Sequence, residues 1–176
     1  MIVDLNLRGK LVIVVGAGSE ALKKINSLLT QDCKIMVFSD TANRQIEAYA
    51  KQKKIEFNKV RLNDAKFLLK HKPFLVMAAT NDRELNRKIV KKAKTTKCYV
   101  YAADDPKVSD FAHPSVINIE DTVQVAISTG GRSPIMARKL KLEAEKIFKK
   151  IVKIEEIYQI KLQQIAREEA KKKLDT

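Results

Sequence analysis

The 176-residue sequence has no tryptophan, two cysteines, two histidines, four prolines and five glycines. Each scarcity excludes something. Cys33 and Cys98 are far apart and neither belongs to a CxxC pair. That argues against a disulfide scaffold or a cysteine zinc site and suits a reducing cytosol. His71 and His113 cannot supply an HExxH pair or a three-histidine metal site, so no metal ligands are expected. Aromatic residues make up 6%, which leaves few platforms for stacked bases. No helix-turn-helix, zinc-finger or RNP signature is present, and no nucleic-acid partner is expected. No apolar run reaches the roughly 18 residues of a membrane span. No charged stretch followed by an apolar one opens the chain. The expectation is a cytoplasmic protein without a membrane partner.

Hydrophobic residues are plentiful at 45%, enough to exclude general disorder. A mass of 20.0 kDa suits one ordinary domain, or one domain with an appendage. Lys and Arg number 35 against 21 Asp and Glu, a net charge of +14. The excess is spread: residues 1–134 carry +9 and residues 135–176 carry +5. It describes either a solvated lysine-rich surface or a protein that receives an anionic partner.

Leu11 to Val15 is a continuous apolar run, as expected of a strand buried on both faces of a parallel sheet. Further strands are expected over Lys34–Phe38, Glu56–Val60, Phe74–Ala79 and Cys98–Ala103. Helical patterns intervene over Glu20–Leu29, Thr41–Lys51, Asn63–Lys70 and a helix capped by Asn81 that reaches Lys94. Such alternation specifies an α/β fold with a doubly wound parallel sheet. Ser115–Ile119 and Val123–Ser128 then form two short strands, a hairpin or a swapped pair. After Pro134 nothing breaks a helix, and apolar residues from Leu140 through Ala144, Ile147, Ile151, Ile154, Tyr158 and Leu162 to Ile165 form a coiled-coil-like seam. A pattern of that length needs a return helix or a second subunit to cover it.

Four of the five glycines lie in two short segments. The first is Gly16-x-Gly18-x-x-Ala21, which follows a strand and opens a helix, the context of a dinucleotide fingerprint. Gly16 permits a tight turn, Gly18 lets the backbone approach a pyrophosphate, and Ala21 lets the helix pack on the sheet. Ala17 lies between the glycines, and the amides of Ser19 and Glu20 face the phosphates at the positive helix end. Asp40 ends the second strand, where a carboxylate receives ribose hydroxyls and repels a 2′-phosphate, so NAD is expected rather than NADP. Thr41 beside it and Thr80 after the fourth strand complete the cofactor set. The bland alternative is a glycine-bearing turn without a cofactor.

The second segment is Ser128-Thr129-Gly130-Gly131-Arg132-Ser133-Pro134. Ser133 suits a helix N-cap and Pro134 the first helical position. Thr129, the Gly130 and Gly131 amides, Arg132 and Arg138 read as an anion site or, equally, as a well-made cap. Asp104-Asp105-Pro106 follows the fifth strand, at the sheet edge where ligands bind, and reads as a catalytic carboxylate or as ordinary turn chemistry.

Four segments taken together resemble one family: VVGAGSEALKK at 14–24, FLVMAATNDRELN at 74–86, DDPKVSDFAHPS at 104–115 and VAISTGGRSPIMARKL at 125–140. The chain resembles, over about residues 1–142, the precorrin-2 dehydrogenase family of the siroheme-synthase amino-terminal type. The resemblance implies a Rossmann-like NAD-binding domain at 1–112, a small β dimerisation segment at 113–142 and a helical region at 143–176. It implies NAD-dependent oxidation of precorrin-2 to sirohydrochlorin in a homodimer, with Asp104 in the catalytic position. Precorrin-2 is a tetrapyrrole bearing eight acetate and propionate carboxylates, which gives the positive charge and residues 129–132 a partner. Some members also insert ferrous iron. Tyr101 stands where the family usually has Asn, and Ala102-Ala103 where it has Val-Val. Two other readings compete: a bifunctional dehydrogenase and ferrochelatase, and an NAD- or redox-sensing module with no chemistry.

Overall fold

The computed structural model describes residues 5–174 except 121 and 131. Two compact units divide the chain, residues 1–112 and 113–176. The first contains five strands: β1 (Leu11–Val15), β2 (Lys34–Ser39), β3 (Glu56–Lys59), β4 (Leu75–Ala78) and β5 (Tyr99–Ala102). They form one parallel sheet in the order β3-β2-β1-β4-β5. Helices α1 (Ser19–Leu28), α2 (Arg44–Lys51), α3 (Phe67–His71) and α4 (Arg83–Thr95) connect them. Strand side chains alternate between two cores. Val12, Val14 and Val37 pack with Ala21 and Ile25 of α1 and Ile46 of α2. Ile13, Val15, Met36 and Phe38 pack with Phe67 of α3 and Leu85 and Ile89 of α4. Helices on both faces explain why β1 reads as an unbroken apolar run: no side of it meets water. The chain reverses direction across the sheet between β1 and β4, the switch point at which open α/β sheets form their ligand crevice.

The start of α4 differs from expectation by one residue. The cap is Asp82, whose Oδ1 accepts from Leu85 N at 3.0 Å, rather than Asn81. Thr80 Oγ1 accepts from Asp82 N at 3.1 Å and so carries the turn one residue further.

In the second unit β6 (Ser115–Ile119) and β7 (Val123–Ile127) form an antiparallel hairpin. Helix α5 (Pro134–Ile151) starts as expected, with Ser133 Oγ accepting from Met136 N and proline in the first turn. It runs through residues 142 and 143, so the expected boundary there falls inside a capped helix. The single long helix is also corrected. The chain breaks at Val152, which is extended (φ −82°, ψ 106°), and α6 (Ile154–Leu174) follows. No proline or glycine causes this. The break lets Ile157 bury with Ile117 and Ile119, beside Phe148 and Val152, so tertiary packing overrides local preference. The face that packs on the hairpin cluster includes Ala144 and Phe148. Of the expected seam, Leu140, Ile147, Ile151, Tyr158, Leu162 and Ile165 remain exposed.

Candidate functional site

Two clefts open at the carboxyl edge of the parallel sheet. The first, of about 300 Å³, lies at the switch point and is lined by residues that include Gly16, Ala17, Gly18, Asp40, Thr41 and Thr80. Gly16 leaves β1 with φ +101°, and a Cβ built there would stand 2.4 Å from the Ala79 carbonyl oxygen. Only glycine satisfies both that conformation and that approach. Gly18 presents the opposite case: a Cβ there meets nothing within 4 Å, so the backbone borders open space. Gly18 is also the N-cap of α1, and no side chain caps that helix end. The first-turn amides are thus left for an anion. Ser19 and Glu20 begin the helix, and the Glu20 carboxyl is held below its usual range by the Lys23 ammonium that bonds it. Asp40 is exposed just beyond β2. An open backbone turn, an uncapped helix end and a carboxylate at the next strand are the features that a dinucleotide site requires.

Thr80 lies in this lining, but its hydroxyl has work inside the protein. It donates to Asn86 Oδ1 at 2.7 Å, while Asn86 Nδ2 donates to the Thr80 carbonyl at 3.0 Å. Asn86 is buried on α4 and lines the second cleft, so this hydrogen-bonded pair links the linings of the two. The sequence pattern marked Thr80 and missed Asn86, whose only signal is a polar residue on the inward face of an apolar helix.

The second cleft, of about 380 Å³, contains Asp104 and Asp105. Asp104 is exposed on its rim. Asp105 Oδ1 accepts from Lys107 N at 3.0 Å and caps the 3₁₀ turn Pro106–Val108, so its role is structural. The turn is tied to β5 by two residues that the sequence did not single out. Ser109 Oγ accepts from Ala102 N at 2.9 Å, and Asp110 Oδ2 accepts from Val100 N at 2.8 Å. These bonds cover the edge of β5 and set where Asp104 stands. Tyr101 of β5 carries the Lys24 ammonium over its ring at 4.6 Å, which accounts for a lysine buried on α1. Burial raises the Cys98 thiol to about 11 and raises Cys33 less, so neither is a ready nucleophile.

Thr129, Gly130, Arg132 and Arg138 belong to the second unit, and neither cleft's lining includes them. Gly131 lies outside the described residues. The expected nest of free amides is largely used within its own loop. Gly130 N donates to Ser128 Oγ at 3.1 Å, Arg132 N to the Thr129 carbonyl at 3.2 Å and Ser133 N to Thr129 Oγ1 at 3.1 Å. Arg132 and Arg138 are exposed and carry what basic character the loop offers.

Residues 3–115 match the family model described as "Putative NAD(P)-binding", and residues 121–143 match the model for "Sirohaem biosynthesis protein central". The siroheme synthase of Neisseria meningitidis serogroup C is 36% identical over 143 residues, which span 79% of this chain and 28% of that protein. The siroheme synthase of Nitrosococcus oceani is 32% identical over 141 residues, 80% of this chain and 29% of the relative. The chain thus spans under a third of the length of these relatives. Among solved structures, SirC, a precorrin-2 dehydrogenase, superposes with a TM-score of 0.71 at 24% identity over 83% of this chain and 70% of that one. That likeness is one of fold: the same parallel α/β sheet, small antiparallel pair and carboxy-terminal helices.

Proposed function

Because the chain belongs to the NAD(P)-binding family whose model covers residues 3–115, and because a sirohaem-biosynthesis segment follows at once, we propose that it oxidises precorrin-2 to sirohydrochlorin with NAD+. The observation that carries this reading is that succession of two segments in one chain. The first segment alone fits many oxidoreductases. The second narrows them to one route of tetrapyrrole synthesis.

When bound, NAD+ supplies the acceptor for the hydride that leaves the macrocycle. The residues of this chain do the rest. The Gly16–Glu20 turn and the uncapped start of α1 hold the pyrophosphate, and Asp40 receives the ribose hydroxyls and selects NAD over NADP. Asp104 takes the proton that leaves with the hydride. It is exposed at a sheet edge where ligands bind, and Ser109 and Asp110 hold the segment that carries it. Thr129, Gly130, Gly131, Arg132 and Arg138 hold substrate carboxylates, chiefly through the two arginines. The exposed apolar residues of α5 and α6 join two copies in a homodimer.

Among the described residues no helix is long and apolar enough to cross a membrane. The deciding experiment is anaerobic incubation of the protein with precorrin-2 and NAD+, read by the absorbance of sirohydrochlorin and of NADH. Both should rise together in equal amounts. No sirohydrochlorin above the protein-free control would remove the proposal. Ferrous iron added afterwards tests the further step that the relatives' name implies.

A further inference from the structure

The cleft beside Asp104 has a cationic rim that the proposed chemistry does not yet use. Arg83, Arg87 and Lys91 line it from α4. Their spacing of four residues puts all three on one helix face, over roughly 12 Å from first to last. The helix carries other cations that do not line the cleft: Lys88 donates to the Asn63 carbonyl at 3.3 Å, and Lys94 is exposed elsewhere. Only eight of the 35 basic residues are arginines, and two of them stand on this rim. Arginine is the side chain whose planar fork matches a carboxylate. Val90, Ala102 and Val108 supply apolar surface in the same cleft. Arg87 does pair with Glu84 at 3.0 Å, but both side chains are largely exposed, and such a pair yields readily to a ligand.

We infer that this cleft is an anchoring subsite for a polycarboxylate macrocycle, in which Arg83, Arg87 and Lys91 hold rim carboxylates while Val90, Ala102 and Val108 face the ring. The inference rests on the reading that the chain acts on precorrin-2 and adds an anchor within the first unit. Three cations strung along 12 Å suit carboxylates distributed around a large ring better than one compact anion. Apolar surface between them suits a ring and offers nothing to phosphate. Asp104 and Asp105 on the same rim repel a small dense anion, whereas a ring held at its edge presents its reacting carbon to Asp104.

The test uses the full chain and two stable probes, uroporphyrin with eight carboxylates and mesoporphyrin with two, titrated by porphyrin fluorescence. Uroporphyrin should bind on the order of tenfold more tightly than mesoporphyrin. The triple variant Arg83→Gln/Arg87→Gln/Lys91→Gln should lose on the order of tenfold or more in uroporphyrin affinity. NAD+ affinity and the thermal midpoint should be kept. The charge-matched control Lys70→Gln/Lys88→Gln/Lys94→Gln, on exposed lysines outside the cleft, should bind as the parent does. Equal binding by the triple variant, an equal loss in the control, or full displacement of uroporphyrin by equimolar inorganic phosphate would each overturn the subsite. Precorrin-2 turnover separates the two ideas. Oxidation with an unchanged KM in the triple variant removes the subsite and leaves the dehydrogenase. Uroporphyrin binding through these three residues without any oxidation removes the dehydrogenase and leaves the subsite.

Discussion

The two units solve the problem of apolar surface differently. Residues 1–112 bury theirs: both sheet faces are covered, and Val60, Leu69 and Tyr99 are the large apolar side chains left exposed among those described. Among the described residues of 113–176, Ile117, Ile119, Ala137 and Ile157 are buried and ten large apolar side chains are exposed along α5 and α6. A sheet flanked by helices closes around itself, whereas a two-stranded hairpin with two helices has too little interior to do so. Under the proposed function the first unit holds the cofactor and Asp104, while the second supplies the dimer contact and the arginines of the 129–138 segment. Changes on the exposed apolar faces of α5 and α6 should leave cofactor binding by the first unit intact.

The largest effect should come from Asp104→Asn. The variant keeps the side chain's size and loses its basic oxygen, and kcat for precorrin-2 oxidation should fall roughly 10²- to 10⁴-fold. NAD+ affinity and dimer mass should stay unchanged. Near-normal turnover would return Asp104 to the status of a turn residue. Next in size is a contrast between two glycines of one turn. Gly16→Ala forces a Cβ to 2.4 Å from the Ala79 carbonyl oxygen at φ +101° and should cost on the order of 2–4 kcal/mol in stability. Gly18→Ala enters open space, so it should unfold like the parent yet bind NAD+ more weakly. Equal stabilities for the two variants would refute that account of the turn.

The second unit is tested by Ile147→Glu/Ile151→Glu. Light scattering should show the parent at about twice 20.0 kDa and the variant near the single value, with NAD+ affinity retained. A parent that runs as a monomer at micromolar concentration breaks the comparison. A smaller effect is expected of Asp40→Asn, which should narrow the preference for NAD+ over NADP+ severalfold; a parent that uses NADP+ equally well would contradict the role given to Asp40. The mildest concerns Cys98. Its folded thiol titrates near 11, above the ordinary value of 9.0, so the neutral form is favoured by the fold. Its contribution to stability is complete below pH 9.0 and is lost as the pH rises toward 11. Alkylation of the native protein at pH 8 should modify Cys98 far more slowly than the urea-unfolded chain.

The glycine-rich turn was legible because strand, turn and helix follow one another within a dozen residues, and each obeys a local rule. Asn86 was not, because its partner Thr80 and its place in the second cleft's lining exist only when β4 and α4 are packed. The pairing of Lys24 with Tyr101 is likewise hidden, since 77 residues and three strands separate them in sequence. The seam at 140–165 was legible as apolar but not in its division, because a helix with two apolar stripes does not declare which one its own hairpin will take.

Local periodicity, capping residues and turn chemistry by themselves determined the parallel α/β alternation, the glycine-rich turn, the cap at Ser133 and the two short strands of the second unit, for all of these depend on neighbours along the chain. Tertiary structure alone decided the break at Val152, the pairing of Thr80 with Asn86 and the gathering of Arg83, Arg87 and Lys91 on the rim that holds Asp104. Those depend on which surfaces meet, and burial rewards contacts between segments whose spacing in sequence carries no signal.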